Sequence, residues 1–420
     1  MKTVKGARDF LPEEMILRQD VIEKIRSVVD SFGFQPIETP SLETWETLCA
    51  KGAGGEDVFK ECYNFEDLGG RRIGLRYEMT VSLARMIASD PSINLPFKVY
   101  QVGKAWRYGE VAKGRLREFV QFDIDVVGAD NMLADAEIVA CAIKCFDALG
   151  FDDCFVRINN RKTLNSIMKS SGIEEKKFID VLRIIDKIEK MGLENVKKEL
   201  GNKGVSKSSV VKLMKFMTMS GKPEKILKEV KGFDGVEELK EMVSYLKAIG
   251  VDSKVKIDLS LARGLDYYTG PVFEIFSEKG IGKSIAGGGR YDKLIGTISG
   301  KDIPAVGISF GIEGIVETIK ERKMFDTKKT NVKVFVVAVN DKVRGKVLEI
   351  VKTLRDKSVP ADYDMRSRSL SGQLKYVSSM GIPFSIIIGE KELEKKSIKI
   401  RNMKTGKEEL VKIKDLGKKF

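Results

Sequence analysis

One short stretch restricts the fold of this chain more than any other. Within residues 120–126, apolar residues alternate with Gln121, Asp123 and Asp125. Successive side chains of a β-strand point to opposite faces, so the three polar groups share one face and the apolar groups share the other. The stretch therefore predicts a strand, within a mostly β segment at residues 98–127, that brings two carboxylates to one face of a sheet.

The first thirty residues predict an amphipathic helix over Pro12–Ser31. Apolar residues recur there at helical spacing, namely Leu17, Val21, Ile25 and Val28. Gly33 follows and is expected to end the helix, because glycine favours the position just after a helix. Residues 34–40 contain two prolines and read as a short edge strand, since proline cannot donate to a sheet ladder.

The rest of the chain alternates between helical and strand patterns and predicts three regions. Residues 161–250 are rich in Lys and Glu with helical spacing, which indicates an α-helical module inserted into a β-containing domain at residues 1–320. A polar, charged linker is expected at residues 321–330. Buried strands at 332–339 and 384–389 alternate with helices, including one at 344–355, and predict a small α/β domain over residues 331–420.

Composition narrows the class of protein. The 420 residues carry 74 Lys and Arg against 61 Asp and Glu, a net charge of +13. This charge favours a polyanionic partner, although a lysine-rich solvated surface is about equally compatible with it. No apolar run approaches the roughly 20 residues of a membrane span, and the first residues contain no signal core, so we expect a cytoplasmic protein with no membrane partner.

The chain contains no histidine, which removes several kinds of chemistry. Catalysis through a Ser-His-Asp triad, a Cys-His pair or an imidazole base is excluded. The five cysteines form no CxxC pair, and with no histidine they predict no metal site but reduced, mostly buried thiols. Any reaction must use carboxylates, cations, hydroxyls and backbone groups.

Two glycine-containing motifs carry a family resemblance. Residues 263–270 read Arg-Gly-Leu-Asp-Tyr-Tyr-Thr-Gly, and residues 286–292 read Ala-Gly-Gly-Gly-Arg-Tyr-Asp. The first closely resembles a signature of histidyl-tRNA synthetases, and the second resembles another motif of that family. The resemblance extends along the whole chain in order and implies an α+β class II synthetase core with an antiparallel sheet, an inserted α-helical module and a C-terminal α/β anticodon-binding domain.

The first class II motif maps onto Pro12–Ser31 and residues 34–40. In the family this motif forms the dimer interface, so the resemblance implies a homodimer. A helix that packs on its own core fits the same pattern equally well.

The second motif resembles residues 106–119, in which three arginines flank a glycine-containing loop. Such a basic loop suits phosphate groups, although an exposed basic hairpin is the alternative. The resemblance implies that Arg107 binds the α-phosphate of ATP and the substrate carboxylate. It places Arg115 near the outer phosphates.

Residues 76–80 resemble the amino-acid-binding loop of the family. The carboxylate of Glu78 and the hydroxyl of Thr80 suit an α-ammonium group. Thr80 is also a candidate N-cap for a helix over residues 81–88, and both roles are compatible.

The resemblance implies a pocket for L-histidine. Glu78 and Gln121 are expected to bind the ammonium group, and Arg107 and Arg263 the carboxylate. The imidazole would lie between Asp125 and Tyr268, and hydrogen bonds at both ring nitrogens would exclude analogues that lack one. The full set of expected histidine-binding residues is Glu78, Thr80, Arg107, Gln121, Asp125, Arg263, Tyr267, Tyr268 and Tyr291.

The implied reaction has two steps and uses ATP and Mg²⁺. The histidine carboxylate attacks the α-phosphorus of ATP, and the terminal ribose of tRNA(His) then attacks the adenylate. The carboxylate is already an anion, so the first step needs positioning and positive charge rather than a base. Arg263 and Arg107 are the expected catalytic residues. The expected ATP-binding residues are Arg107, Arg115, Gln121 and Arg263.

Three positions depart from the family pattern. The family has a glutamate at the position of Gly109, which contacts adenine. Many relatives have glutamate at the position of Asp125, whose shorter arm changes the reach by about 1.5 Å. The third motif resembles residues 305–314, but the family ends it with an arginine that binds the γ-phosphate, whereas this chain has Gly314.

Two other functions fit part of the sequence. A regulatory paralogue that supports the first enzyme of histidine biosynthesis would explain Gly314, but such paralogues usually lack the C-terminal domain. A plain nucleic-acid-binding protein would explain the charge but not the pocket. Arg366, Arg368 and Lys375 are candidates for anticodon contacts, and surface charge is an equally good reading of each.

Overall fold

The computed structural model describes residues 1–50, 55–263, 266–279 and 284–420. The chain divides into two compact units, residues 1–8 with 21–325 and residues 9–20 with 326–420. Within the described ranges, no helix is both long enough and apolar enough to cross a membrane.

Helices and strands up to residue 322 occur in the following order. The helices are α1 (Pro12–Ser31), α2 (Trp45–Leu48), α3 (Gly55–Lys60), α4 (Thr80–Ser89), α5 (Met132–Ala148), α6 (Arg161–Ser170), α7 (Phe178–Ile185), α8 (Ile188–Met191), α9 (Leu193–Asn202), α10 (Lys207–Met217), α11 (Pro223–Glu229), α12 (Val236–Ile249), α13 (Leu294–Ser299) and α14 (Ile312–Arg322). The strands are β1 (Gln35–Pro36), β2 (Leu42–Thr44), β3 (Asn64–Glu66), β4 (Arg72–Leu75), β5 (Phe97–Trp106), β6 (Glu118–Val127), β7 (Cys154–Asn160), β8 (Ser220–Gly221), β9 (Val255–Asp258), β10 (Pro271–Ser277), β11 (Ala286–Arg290) and β12 (Ala305–Gly311).

A large mixed sheet organises the first unit. Among the described residues its strand order is β1-β5-β6-β12-β11-β10-β7-β9-β8, and a small sheet β2-β4-β3 accompanies it. Pairing is antiparallel from β5 through β7, whereas β1 pairs with β5 and β7 with β9 in parallel. The predicted class II core with an antiparallel sheet is therefore confirmed, with parallel strands added near its edges.

The helix predicted for the N-terminus is confirmed with the predicted bounds. Gly33 follows it with a φ of +78°, a left-handed conformation that glycine adopts without strain. Val21, Ile25 and Val29 are completely buried, whereas Val28, expected on the apolar face, is only half-buried. A spacing of four continues the buried stripe from Ile25, so Val29 takes the place predicted for Val28.

The apolar face of β6 packs into an aromatic core. The ring of Phe122 lies 5.3 Å from that of Tyr100 on β5 and 6.1 Å from that of Phe310 on β12. Phe146 of α5 lies 5.7 Å from Phe310 and covers these rings. Because this face is filled by aromatic side chains, the alternating polar residues of β6 point to the opposite face, as their spacing predicts.

The segment predicted as a helical module contains α6 through α12. Only the two-residue strand β8 interrupts the helices, and it pairs with β9 at the edge of the large sheet. The five cysteines are free thiols, and four of them are buried. Cys141 and Cys145, one turn apart on α5, belong to the core as expected.

The C-terminal part of the second unit is a five-stranded α/β structure. Its elements are β13 (Val334–Ala338), α15 (Arg344–Arg355), β14 (Ala361–Tyr363), α16 (Leu370–Ser379), β15 (Phe384–Ile388), α17 (Glu390–Glu394), β16 (Ser397–Asn402) and β17 (Glu408–Lys412). The order β14-β13-β15-β16-β17 begins with parallel pairs and ends with antiparallel pairs. The α/β domain predicted here is confirmed, and α15 has the predicted bounds.

A buried ion pair ties α5 to the end of β11. The guanidinium of Arg290 is bonded to the carboxylate of Asp135 and donates to the carbonyl oxygens of Ala129 at 2.9 Å and Asn131 at 3.0 Å. The side chains of Arg290 and Asp135 are 3% and 0% exposed. The arginine of the glycine motif is thus a structural residue that anchors the strand next to the site described below.

Asp135→Asn is expected to lower the free energy of unfolding by roughly 3 kcal/mol, because it removes the fully buried counter-charge of Arg290 and leaves only the partly exposed carboxylate of Asp292, 3.1 Å away. Urea denaturation of the purified protein measures this. The matched control is Glu137→Gln on the same helix, whose partner Lys98 lies 2.6 Å away with both side chains 30% exposed. That change should cost no more than about 1 kcal/mol. Equal effects of the two variants would contradict the structural role of Arg290.

Candidate active site

The register of the large sheet builds the floor of the site. Gln121, Asp123 and Asp125 of β6 lie opposite Gly311, Ser309 and Gly307 of β12. All three polar side chains are buried, at 8%, 2% and 3% exposure. The polar face predicted from the sequence is therefore the buried floor of a cavity.

Glycines on the neighbouring strands make the room for this floor. A Cβ at Gly307 would overlap the carboxylate of Asp125, and one at Gly287 would overlap the guanidinium of Arg263. At Gly289, a Cβ would lie 2.8 Å from the ring of Tyr268. Gly287, Gly289 and Gly307 thus allow close approach of side chains, and Gly288 allows close approach of the β12 backbone at Gly307.

A cavity of about 410 Å³ lies above the floor. Every residue predicted to bind histidine lines it: Glu78, Thr80, Arg107, Gln121, Asp125, Arg263, Tyr267, Tyr268 and Tyr291. Asp123, Ile308, Ser309 and the glycines complete the lining. The structure therefore brings together groups that are up to 213 positions apart, from Glu78 to Tyr291.

Glu78 joins the cavity to the start of α4. Its carboxylate accepts the backbone N–H of Thr80 at 2.9 Å and that of Val81 at 2.6 Å, and the hydroxyl of Tyr267 lies 3.4 Å away. The proposed N-cap role of Thr80 is therefore wrong, because α4 begins at Thr80 itself and Glu78 satisfies the first free N–H groups. Burial raises the pKa of Glu78, while these hydrogen bonds oppose the shift.

Asp125 is held by a single tyrosine. The hydroxyl of Tyr291 donates to Oδ1 of Asp125 at 2.5 Å. Burial raises the pKa of Asp125 to about 7, against the effect of this hydrogen bond. A ligand N–H that donates to Asp125 would favour its ionised form, so this carboxylate suits a ligand with an N–H donor.

The guanidinium of Arg263 is held by Glu274, a residue that the sequence did not predict as part of the site. Glu274 of β10 forms an ion pair with its guanidinium, and Nε of Arg263 has no hydrogen-bond partner among the described residues. Burial disfavours the cation, but the charge and hydrogen bond of Glu274, with the charges of Tyr268 and Asp186, together outweigh burial and raise the pKa of Arg263. The available signal was one charged residue, Glu274, in the otherwise apolar strand at residues 272–276.

The backbone at Arg263 is strained and is held by the helical module. Its φ of +58° is unusual for a residue with a side chain and costs roughly 1–3 kcal/mol. Arg161 of α6 donates to the carbonyl of Ala262 at 3.1 Å, and Arg183 of α7 binds Asp266 at 2.7 Å. Two helices of the module therefore fix the signature segment on either side of Arg263; positions 264 and 265 of the signature lie outside the described residues.

Arg107 borders a second cavity as well as the first. This second cavity, of about 520 Å³, is also lined by Arg115, Glu61, Glu110 and Gly314. Nε of Arg107 donates to the carbonyl of Tyr77 at 2.8 Å, which fixes the plane of the guanidinium. The two cavities therefore adjoin at one cation, and Arg115 lies in the second cavity rather than the first.

Two departures from the family pattern fall in this second cavity. A Cβ at Gly109 would lie 3.7 Å from Oε2 of Glu61, so the Glu61 carboxylate stands beside the missing glutamate position. A Cβ at Gly314 would meet no atom of the described residues within 4 Å, so this position opens onto free space.

This fold and this pair of cavities define the catalytic core of a class II aminoacyl-tRNA synthetase. Residues 6–315 match the family model described as histidyl-tRNA synthetase, and residues 333–420 match the model described as anticodon binding domain. The chain belongs to the histidyl-tRNA synthetase family.

Individual proteins support the same family. The chain is 40% identical to a histidine–tRNA ligase from Aeropyrum pernix, over 93% of this chain and 91% of that protein. It is 36% identical to histidine–tRNA ligase 1 from Bacillus cereus, over 99% of this chain and 96% of that protein. A crystal structure of histidyl-tRNA synthetase from Nostoc sp. PCC 7120 superposes with a TM-score of 0.86 at 32% identity, over 100% of this chain and 98% of that one.

A further solved structure shares the fold only. It is described as an ATP phosphoribosyltransferase regulatory subunit/histidyl-tRNA synthetase from Bacillus halodurans and superposes with a TM-score of 0.74. Its sequence is 22% identical, and the match covers 89% of this chain and 93% of that one. Fold likeness at this identity does not distinguish a synthetase from a regulatory relative.

Gly307→Ala is expected to lower the free energy of unfolding by about 1–3 kcal/mol, because its Cβ must displace Asp125 in a packed floor. Gly311→Ala on the same strand is the control, since its Cβ would meet no described atom within 4 Å. The control should be neutral or stabilised by up to about 1 kcal/mol. Chemical denaturation of both variants checks the difference, and equal stabilities would mean that the floor tolerates an added methyl group.

Proposed function

We propose that this chain ligates L-histidine to tRNA(His) through a histidyl-adenylate and releases AMP and pyrophosphate. The observation that carries the proposal is the pair of adjoining cavities that share Arg107. One offers carboxylates, tyrosines and an arginine for an amino acid, and the other offers arginines for phosphates. A reaction between a carboxylate and a phosphate needs the two substrates to meet at one cation.

The polar groups of the first cavity complement each part of histidine. Glu78, Gln121 and Thr80 would bind the ammonium group, and Arg107 with Arg263 the carboxylate. Asp125 and Tyr268 would bind the ring, with Tyr291 orienting Asp125. Buried donors and acceptors of this kind discriminate strongly, because an analogue that lacks a nitrogen leaves them unpaired.

The first step depends on positioned positive charge. The substrate carboxylate is a nucleophile without deprotonation, so Arg107 and Arg263 need only orient it and stabilise charge that develops on the α-phosphate. The ion pair with Glu274 supports this role, because a guanidinium already held in place does not have to reorganise during the reaction. In the second step, a phosphate oxygen of the adenylate would accept the proton of the tRNA ribose.

The second cavity would hold the rest of ATP and its magnesium. Arg115 and Gln121 would contact ATP together with the two catalytic arginines. Among the described residues, no group of three or more acidic or cysteine side chains is placed to hold a metal ion, so the Mg²⁺ that accompanies ATP would be held mainly by phosphate oxygens and water and would neutralise the leaving pyrophosphate. Glu61, beside Gly109, would bind the amino group of adenine in place of the missing glutamate.

The domain at residues 331–420 would bind the anticodon. Arg366 and Lys375 are exposed, and Arg368 borders a cavity of about 990 Å³ while bonded to Asp364. We further infer that the domain boundaries are those predicted from the sequence, at residues 1–320, 321–330 and 331–420. A homodimer in the cytoplasm completes the proposal.

The regulatory alternative is not favoured. Residues 333–420 match an anticodon-binding domain, which a subunit without a tRNA substrate has no need of. The two relatives named above are described as histidine–tRNA ligases, and the match to this chain covers more than nine-tenths of each.

The purified chain should catalyse histidine-dependent ATP–pyrophosphate exchange and should charge tRNA(His). Arg263→Ala should slow single-turnover adenylation by about 100-fold or more, as expected for loss of a cation in the transition state. Lys293→Ala is the control, an exposed cation paired with Asp302 outside both cavities. Absence of exchange in the wild type would reject the function. A variant that only weakened histidine binding and kept its adenylation rate would reject the role of Arg263.

Gly314→Arg should lower the KM for ATP by about tenfold or more, because the added guanidinium would reach the phosphate cavity through open space. Gly314→Met adds similar length without charge and should not lower this KM. Steady-state exchange kinetics at saturating histidine give both values. An unchanged KM in Gly314→Arg would mean that another cation of this chain already binds the outer phosphates.

A further inference from the structure

Asp123 is a buried carboxylate in the floor of the cavity to which the mechanism above gives no task. It lies between Gln121 and Asp125 on the same face of β6, and it is 2% exposed. Its Oδ1 has no hydrogen-bond partner among the described residues. Asp123 lines the cavity, so this unpaired oxygen belongs to a residue that borders the ligand space.

The nearby cations are directed elsewhere. Arg76 donates to the carbonyl of Lys104 at 2.8 Å and to the carbonyl of Thr39 at 2.9 Å. Arg263 is paired with Glu274, and Arg107 is bound through its Nε to Tyr77. The geometry therefore leaves the carboxylate of Asp123 without a described ion-pair partner. Burial followed by the charge of Asp125 raises its pKa well above the usual value, while a hydrogen bond with Ser309 opposes the shift, so a cationic ligand beside it would favour the ionised form.

A second unpaired acceptor stands beside it. Nε2 of Gln121 donates to the hydroxyl of Ser309, the cross-strand neighbour of Asp123, and this bond fixes the orientation of the Gln121 amide. Oε1 of Gln121 then has no hydrogen-bond partner in the described part of the chain. Two adjacent residues that line the cavity therefore each carry a buried acceptor without a donor among the described residues.

The number of acceptors matches one group of the proposed substrate. An ammonium group has three N–H donors, whereas each imidazole nitrogen carries at most one. Oε1 of Gln121, Oδ1 of Asp123 and the carboxylate of Glu78 are three acceptors on residues that line the cavity. Asp125, at the far end of the polar row and already bonded to Tyr291, is left for the ring.

We propose that Asp123 is a further substrate-binding residue that accepts a hydrogen bond from the α-ammonium group of the bound amino acid and provides its counter-charge. The inference rests on the proposed function and deepens it. The cavity then requires a ligand with both an α-ammonium group and a ring N–H. A molecule that has the ring but no ammonium group leaves Asp123 and Gln121 unpaired.

Two histidine analogues separate this role from others. Histidinol keeps the ammonium group and the ring but has no carboxylate, whereas 3-(imidazol-4-yl)propionate keeps the ring and the carboxylate but has no ammonium group. Calorimetric binding to the full chain without ATP measures each affinity independently of catalysis. The wild type should bind histidinol, and Asp123→Asn should weaken that binding by about tenfold or more through loss of the charge. The same variant should bind the propionate within about threefold of the wild type.

Asp125→Asn is the matched control, because it alters the same strand and removes the same charge. It should weaken both analogues by similar factors, since both carry the ring. Asp123→Ser provides the same comparison should the asparagine variant fail to fold, and thermal unfolding reports the fold of each variant.

The outcomes distinguish the two levels of the proposal. Equal weakening of both analogues by Asp123→Asn, or no weakening of either, overturns the role of Asp123 and leaves the proposed function standing. A wild type that binds neither histidine nor histidinol overturns the proposed function and this role together.

Discussion

The site depends on one constraint, which is that a row of carboxylates and an amide must be buried in the middle of a sheet. Burial of charge is costly unless partners surround it, and the partners here come from loops and other strands rather than from the floor itself. The neighbouring strand β12 therefore carries glycine or serine opposite these residues, at Gly307, Ser309 and Gly311. The space they leave is occupied by Tyr291 and by the cavity.

Much of the fold could be predicted because it follows local periodicity. The bounds of α1 and α15 and the alternation along β6 depend only on the spacing of apolar residues. The sequence motifs also identified nine of the side chains that line the cavity, since each lies within a short segment that resembles the family. What could not be predicted depends on register between distant strands. Glu274 meets Arg263 only because β10 pairs with β11 at Gly287, and no single sequence shows that pairing.

The errors have the same physical origin. Thr80 looked like an N-cap because its hydroxyl precedes an apolar helix, but Glu78 has a longer arm and reaches the same N–H groups from two residues earlier. Val28 looked buried because a spacing of three is as helical as a spacing of four, and tertiary packing selected Val29. In both cases the local sequence allowed two arrangements, and the contacts in the folded chain selected one of them.

The contacts of Arg161 and Arg183 with the signature segment have a consequence for the evolution of such proteins. The inserted helices are part of the site, because they contact the signature segment on both sides of the strained backbone at Arg263. A chimera that received these helices from a distant relative would need a cation able to pair with Asp266. Without that cation, the signature segment would lose one of the contacts that fix its position. The two segments are therefore expected to be inherited as a pair, although about 80 residues separate them along the chain.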